Sequence, residues 1–477
     1  MSSDTIVAVA TAPGAAGVGV VRVSGSDAVA LVAPLFKASD GRALADQPPR
    51  FLAFGKLFRP SGGLLDEVMV VRFAAPNSFT GEDVVEVQSH GGTYHLRELQ
   101  AALLEASKSL PRPARLARPG EYTQRAFLNG KIDLTRAEAV ADLIQSASSL
   151  AREAAVRQLG GGLQRSIEGL RVQTLGLLAE CEAACDFPEE HEQVPGGADF
   201  SGRLEALILQ LDALLDTARM GRMLSQGVRV ALAGAPNVGK SSLLNALCNE
   251  DRAIVNEEPG TTRDWLEVRL AVQGLQVLLY DTAGLRDAAG AVEAEGVRRA
   301  WGLAREADLL LLVLDSSVPL QASALEVLRD AAGEILLVLN KSDLRAVWDL
   351  KDLSAALPSG ARAWAAGADL KGHVAHVSAR TRDGLDALME RIFEMALQGR
   401  SSQMLEAAAL TQERHEHAAR DARASLARAR AAHASGAGVE LLAVDLRAAL
   451  DALGEIVGAT PRAQVVEEIF RRFCIGK

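Results

Sequence analysis

Residues Val228 to Leu247 read VRVALAGAPNVGKSSLLNAL, an alternating apolar run that breaks at Gly234-Ala235-Pro236-Asn237-Val238-Gly239-Lys240-Ser241 and resumes, after Ser242, at helical spacing. Strand, phosphate-binding loop and helix follow in that order. Glycines let backbone N–H groups curl around a polyphosphate, Lys240 reaches the β and γ phosphates, and the Ser241 hydroxyl is suited to magnesium. An accidental glycine turn ahead of a helix would need no lysine, and lysine is scarce in this chain.

Downstream, Leu266 to Val272 and Leu275 to Tyr280 are expected strands joined by a Gln273-Gly274 hairpin turn. The second runs into Asp281-Thr282-Ala283-Gly284, where the aspartate would hold a magnesium-bound water and the Gly284 amide would sense the γ-phosphate. Asp308 to Asp315 and Ile335 to Leu339 are near-continuous apolar runs, as parallel strands covered on both faces require. The latter ends in Asn340-Lys341-Ser342-Asp343, whose aspartate can accept from guanine N1 and the exocyclic amine, a donor pair that adenine lacks. His376-Val377-Ser378-Ala379-Arg380 ends the last strand, with the Ala379 amide suited to the guanine oxygen. Each motif alone could be an ordinary strand end. Four in this order, each at a strand's carboxyl edge, point to a guanine nucleotide. Leu285 stands where Ras-type enzymes carry the glutamine that orients the attacking water. Glu293 is the nearest downstream carboxylate on that segment, with Glu295 next, although spacing alone favours a solvated glutamate at a helix start.

A chain of 477 residues is too long for one core, so about three folding units are expected. No apolar run approaches a membrane span and no export signal is evident, which makes the cytoplasm the expected location. The cysteines Cys181, Cys185, Cys248 and Cys474 lack both a disulfide framework and the paired spacing of a zinc site. A net charge of −10 argues against a protein that coats nucleic acid by bulk charge, so any RNA contact needs a local patch.

The first hundred residues carry short strand-like runs at Thr5 to Ala10, Gly19 to Val23, Leu64 to Phe73 and Val84 to Gln88, as in an α+β domain. The glycine-rich segment Ala12 to Gly19 lacks a Gly-Lys-Ser ending and reads as a turn. Polar loops at Pro76 to Asp83 and Ser89 to Gly92 flank the strand that holds Glu86. From Gly130 the pattern becomes helical, through Leu134, Ala137, Ala141 and Ile144, then Leu163 to Cys181, with a further helix from Phe200 to about Met220 after a turn at Gly196 to Asp199. Helical spacing returns from Gly384 to the end. The arginine-rich stretch Thr411 to Arg430, with His415, His417 and Asp421, reads as a solvated helix face rather than an RNA patch.

The GTPase motifs inserted between helical segments, and Cys474-Ile475-Gly476-Lys477 closing the chain, resemble the MnmE (TrmE) family of tRNA modification GTPases. The resemblance spans nearly the whole chain and includes Gly17 to Gly25, Asn77-Ser78-Phe79-Thr80-Gly81-Glu82-Asp83, Ala117 to Thr123, Arg125 to Lys131 and Gly260-Thr261-Thr262-Arg263-Asp264. It implies a multidomain fold: an α+β N-terminal folate-binding and dimerisation domain over 1–120, a discontinuous helical domain over 121–224 and 398–477, and an inserted α/β P-loop GTPase domain over 225–397.

It further implies a homodimer whose GTPase domains meet when potassium binds. The dimer would act with a flavin-containing MnmG (GidA) partner, as a heterotetramer, to add an aminomethyl or carboxymethylaminomethyl group at carbon 5 of the wobble uridine of certain tRNAs. By the same resemblance the potassium ligands fall on Asn237, Asn256, Glu258 and Thr261, within the loop Asn256-Glu257-Glu258-Pro259-Gly260-Thr261-Thr262, and magnesium on Ser241 and Thr262. Glu293 becomes the residue that positions the water, and a tetrahydrofolate such as the 5-formyl form falls on Arg22, Glu86, Lys131 and Lys477. Pro259 in the potassium loop removes one amide and restricts one φ angle, so potassium dependence can differ in strength. The alternative is a regulatory or ribosome-assembly GTPase switch without one-carbon chemistry. No Gly-x-x-Gly loop in a basic C-terminal domain supports it.

Overall fold

The structure is a computed structural model that describes residues 4–186, 197–248, 267–281, 307–329, 334–357, 370–397, 410–460, 463–471 and 473–476. The chain divides into two compact units, one of residues 1–141, 159–207 and 424–477, the other of 142–158 and 208–423.

The first unit carries a sheet of β1 (Ile6–Val9), β2 (Ala16–Ser24), β3 (Phe36–Ala38), β4 (Leu52–Phe58), β5 (Leu64–Phe73), β6 (Val84–Gly91) and β7 (Arg115–Leu116), in the order β3-β4-β5-β6-β2-β1-β7. All pairings are antiparallel except β1 with β7. Val21, Val23, Ala53, Leu57, Val68, Val70, Val85 and Val87 share one buried face with α1 (Ala28–Val32) and α2 (Thr93–Ala106). Side chains alternate along a strand, so the opposite face receives the row Arg22, Glu86, Val71 and Leu52, which are cross-strand partners in turn. Tyr122 on α3 (Glu121–Leu128) packs with Ile6 and Ala8. Helix α4 (Leu134–Gln145) follows, α5 (Ser149–Leu159) belongs almost wholly to the second unit, and α6 (Gly162–Asp186), again of the first, buries Leu163, Ile167, Leu170, Leu177 and Cys181 on one stripe.

The second unit holds β8 (Val228–Ala233), β9 (Glu267–Val272), β10 (Leu275–Asp281), β11 (Leu309–Asp315), β12 (Glu334–Asn340) and β13 (Val374–His376), ordered β13-β12-β11-β8-β10-β9 and parallel except for the β9–β10 hairpin. Leu309, Leu311 and Val313 enter one core while Leu310, Leu312 and Leu314 enter the other. Burial on both faces is why that strand reads as an unbroken apolar run. Gln273 and Gly274 have φ of 47° and 83°, and this pair of left-handed residues makes the expected two-residue turn.

Several expectations need correction. The helix expected from Phe200 to Met220 is two helices, α7 (Gly197–Leu215) and α8 (Ala218–Gln226), and α7 begins at Gly197 inside the expected turn. The break falls at Thr217, whose hydroxyl donates to the Leu214 carbonyl at 2.6 Å, a local bond that competes with helix continuation. The Ala12 to Gly19 segment is a turn only in its first half, since β2 starts at Ala16, with irregular register between Ala16 and Gly19. Strand β4 went unread because its outward residues Leu52 and Phe54 are apolar and mask the alternation. The remaining α-helices among the described residues are α9 (Lys240–Cys248), α10 (Leu350–Ala356), α11 (Leu385–Leu397), α12 (Glu413–Ala434), α13 (Val439–Val457) and α14 (Ala463–Arg471). On α12, Arg420 pairs with Glu416 and Arg428 with Asp445, while His415 is buried. The arginine-rich stretch is thus an ion-paired surface with one buried imidazole.

Candidate functional site

In the second unit β8 ends at a loop whose backbone has room only for the residues it contains. Gly234 has φ of 148°, and a Cβ there would lie 2.3 Å from the Val313 carbonyl oxygen. At Gly239, φ 96°, a Cβ would lie 2.3 Å from Asn340 Nδ2. Asn237, φ 62°, takes the left-handed conformation that asparagine tolerates. Helix α9 then starts at Lys240, which is 6% exposed and donates from Nζ to the carbonyls of Gly234 at 2.9 Å and Ala235 at 2.7 Å. A buried ammonium held by carbonyl oxygens of its own loop sits where a phosphate would offer stronger, charged acceptors.

The base-binding motifs converge on this loop. Asn340 donates from Nδ2 to the Val238 carbonyl at 2.8 Å, and its Oδ1 accepts from the Ala379 amide at 3.1 Å. One buried side chain therefore ties the 234–240 loop, the 340–343 loop and the 378–380 loop together. The Ala379 amide, expected at the guanine oxygen, is engaged by Asn340 here, so a base carbonyl would have to share or displace that bond. The Ser378 hydroxyl donates to Asp343 Oδ1 at 2.7 Å, which orients a carboxylate that is otherwise exposed. Lys341, φ 61°, reaches back to the Asn237 carbonyl at 3.2 Å. Ser342 donates its amide to the Val377 carbonyl at 3.1 Å, and Ser241, Ser242 and Arg380 are exposed around the cluster.

Sequence reasoning passed over Asp315, which ends β11 opposite Asn340 and lies 2.6 Å from Lys341 Nζ. Burial pushes its carboxyl up, but hydrogen bonds from Lys341 and Ser317 outweigh this and hold it below the usual carboxylate range. The available signal was a charge closing an otherwise unbroken apolar strand.

Asp281 ends β10 with its backbone paired to Leu232 of β8. The expected site residues Asn256, Glu257, Glu258, Pro259, Gly260, Thr261, Thr262, Thr282, Ala283, Gly284, Glu293 and Lys477 lie outside the described residues.

The first unit brings together part of the second predicted set. Arg22 Nε and Nη2 both lie 2.8 Å from Glu86 Oε1, across the β2–β6 register. The Arg22 guanidinium lies over the Tyr122 ring, 5.6 Å from its centroid, and the Tyr122 hydroxyl donates to the Arg22 carbonyl at 2.7 Å. Burial pushes that phenol far above its ordinary value. Lys131 is bonded elsewhere, to the Pro76 carbonyl at 2.9 Å. Gly476, φ 97°, sits so close to β1 that a Cβ would be 2.2 Å from the Val9 carbonyl oxygen, which lays the chain end beside the strand paired with Arg22's own.

The same unit holds a charge network that accounts for residues in three of the quoted motifs. Arg125, 3% exposed, contacts Asp4 Oδ1 at 2.9 Å, Glu82 Oε2 at 3.1 Å and Glu121 Oε1 at 3.1 Å. Arg115 reaches Glu121 at 2.5 Å and Asp4 at 2.7 Å, and Ser24 donates to Glu82 at 2.8 Å. Burial opposes ionisation of Glu121, yet bonds from Arg115, the Arg118 amide and Arg125 hold its carboxyl down at about 2. Arg125 thus fastens Glu82 of the 76–83 loop and Asp4 ahead of β1 to α3, and Glu121 ties the same helix to Arg115 of β7.

The doubly covered parallel sheet, the glycine-bent loop at one strand end and the asparagine-anchored base loop at another make the second unit a P-loop GTPase domain. Family comparisons cover the rest: residues 5–131 match the GTP-binding protein TrmE N-terminus and residues 134–474 the MnmE helical domain. The tRNA modification GTPase MnmE of Syntrophotalea carbinolica is 44% identical over 481 residues, covering 100% of each chain. Those of Moorella thermoacetica and Chromobacterium violaceum are both 42% identical, the latter covering 99% of this chain and 98% of its own. The chain belongs to the MnmE family of tRNA modification GTPases.

Proposed function

We propose that this chain hydrolyses GTP in a cycle that serves the modification of tRNA, with the phosphates on Lys240 and the amides of the 234–240 loop and the base on Asp343. The observation that carries the reading is the single Asn340 side chain bonded to both Val238 and Ala379, which joins phosphate loop and base loop into one cradle. Ser241, exposed in the first turn of α9, suits magnesium, with Thr262 as its second protein ligand and Asp281 as the holder of a bound water. Asn237 is exposed in its left-handed turn and would offer its amide oxygen to potassium, together with Asn256, Glu258 and Thr261. When bound, a monovalent cation there supplies positive charge where negative charge grows on the phosphates. Gly284 senses the γ-phosphate, and Glu293 orients the attacking water.

In the first unit Glu86 gives only Oε1 to Arg22, and its Oε2 makes no hydrogen bond among the described residues. A half-buried carboxylate with one open oxygen fits the paired N–H donors of a pterin, with Arg22, Lys131 and Lys477 for the acidic tail of a tetrahydrofolate. The chemistry proposed is addition of an aminomethyl or carboxymethylaminomethyl group at carbon 5 of the wobble uridine, by a homodimer acting in the cytoplasm with an MnmG-type flavoprotein as a heterotetramer. The domain division proposed is 1–120, 121–224, 225–397 and 398–477. GTP turnover by the full-length chain is expected to be about tenfold or more faster in potassium than in sodium at equal ionic strength. Equal rates would remove Asn237 from the cation site.

A further inference from the structure

Asp315 belongs to none of the nucleotide motifs, yet it is 8% exposed and its carboxylate is fully engaged. Oδ1 accepts from the Ser317 amide at 2.9 Å and the Ser317 hydroxyl at 2.6 Å, while Oδ2 takes Lys341 Nζ at 2.6 Å. The parallel register sets Asp315 opposite Asn340, so the strands themselves deliver the carboxylate to the base loop. Lys341 in turn donates to the carbonyl of Asn237, a residue of the phosphate loop in the left-handed region. A lysine ammonium is a strongly hydrated point charge on a flexible stem, and with no anchor it would spend its time in solvent rather than on one neutral carbonyl. A short contact to a braced carboxylate removes that freedom.

We propose that Asp315 is a positioning residue for the guanine nucleotide: it holds the Lys341 ammonium against the Asn237 carbonyl, so that base loop and phosphate loop are tied together before the nucleotide arrives. This rests on the nucleotide reading above. Ser317 braces the carboxylate, Asp315 holds the lysine, and the lysine holds the turn of the phosphate loop. The nucleotide then finds the cradle formed and loses less freedom in ordering it.

The test is GDP release from the full-length chain, followed with a fluorescent N-methylanthraniloyl-GDP, in Asp315→Asn, Lys341→Ala and the double variant. Asparagine keeps an oxygen for Ser317 and turns an amide toward Lys341. Release is expected to quicken about tenfold in Asp315→Asn and by less than about twofold when the same change is made on Lys341→Ala. An equal factor in both backgrounds would mean that Asp315 merely supports the strand end, and an unchanged single variant would also overturn the proposal. Ser317→Ala, a milder change should Asp315→Asn fail to fold, is expected to quicken release about threefold with Lys341 present and not without it; no change with Lys341 present counts against the proposal. Lys240→Ala serves as the reference. If Lys240→Ala abolishes binding while Asp315→Asn matches the parent chain, the nucleotide reading stands and this inference falls. A parent chain with no saturable binding ends both.

Discussion

The antiparallel sheet of the first unit and the parallel sheet of the second both carry charged residues assigned to ligands, but they carry them in different places. In the parallel sheet both faces are buried over the middle of β11 and β12, which carry no charge there, and exposed charges such as Arg229 at the start of β8 and Arg269 on the edge strand β9 stand clear of the core. The working groups gather where the strands stop, at Gly234 to Lys240, Asn340 to Asp343, Asp315 and Ser378. In the antiparallel sheet one face is covered by α1 and α2 and the other is free to bear side chains, so Arg22 and Glu86 stand mid-strand as a cross-strand pair. One sheet presents its candidate groups at its edge, largely through the backbone; the other carries the Arg22–Glu86 pair on a face.

That contrast makes the first unit the more exposed of the two to loss of a single charge. The largest effect is expected for Arg125→Ala, which leaves Glu82 without its cation and Glu121 and Asp4 still paired with Arg115, and should cost about 3–5 kcal/mol in denaturant unfolding. GDP affinity, measured on the same chain below the transition, should not move; a parallel fall would mean that Arg125 does more than fasten the first unit. Acid comes next. Glu121 titrates at about 2 instead of its usual 4.5, so its stabilising contribution is complete above the usual value and is lost as the pH falls from about 4.5 towards 2. The loss should reach about 3 kcal/mol, and Glu121→Gln should flatten the stability profile over that window. A profile as steep in the variant as in the parent chain would assign the acid sensitivity to other carboxylates. The smallest effect concerns the sheet face itself. Calorimetry of the full-length chain with 5-formyltetrahydrofolate is expected to give saturable heat, weakened about tenfold in Glu86→Gln. Silence from the parent chain would strip the Arg22–Glu86 pair of a ligand role and leave it a cross-strand ion pair.

The same contrast decided how legible each unit was in the sequence. Groups at strand ends are written in short contiguous strings, as Gly234 to Ser241, Asn340 to Asp343 and Ser378 to Arg380 are. Function on a sheet face is written one residue at a time. Arg22, Glu86 and Lys131 were assigned through family likeness rather than from spacing, and Lys131 proves to be bonded to Pro76 rather than to the other two. The motif residues Glu82, Glu121 and Arg125 form a fastening of ion pairs that no spacing in the sequence announces. Strand β4 was hidden because a half-covered sheet with Phe54 and Leu52 outward has no polar beat to follow.

From residue order alone the chain determined its parallel nucleotide sheet, the hairpin at Gln273-Gly274 and the guanine preference of its base loop, because each depends on neighbours in sequence: alternation, φ sign, donor and acceptor type. Tertiary structure alone decided that Asn340 bridges to Val238 and Ala379, that Asp315 holds Lys341, and that Arg125 gathers Asp4, Glu82 and Glu121. Those partners are far apart along the chain. Only the folded register of the strands brings them within hydrogen-bonding distance, where a buried charge must find its counterpart or be expelled to water.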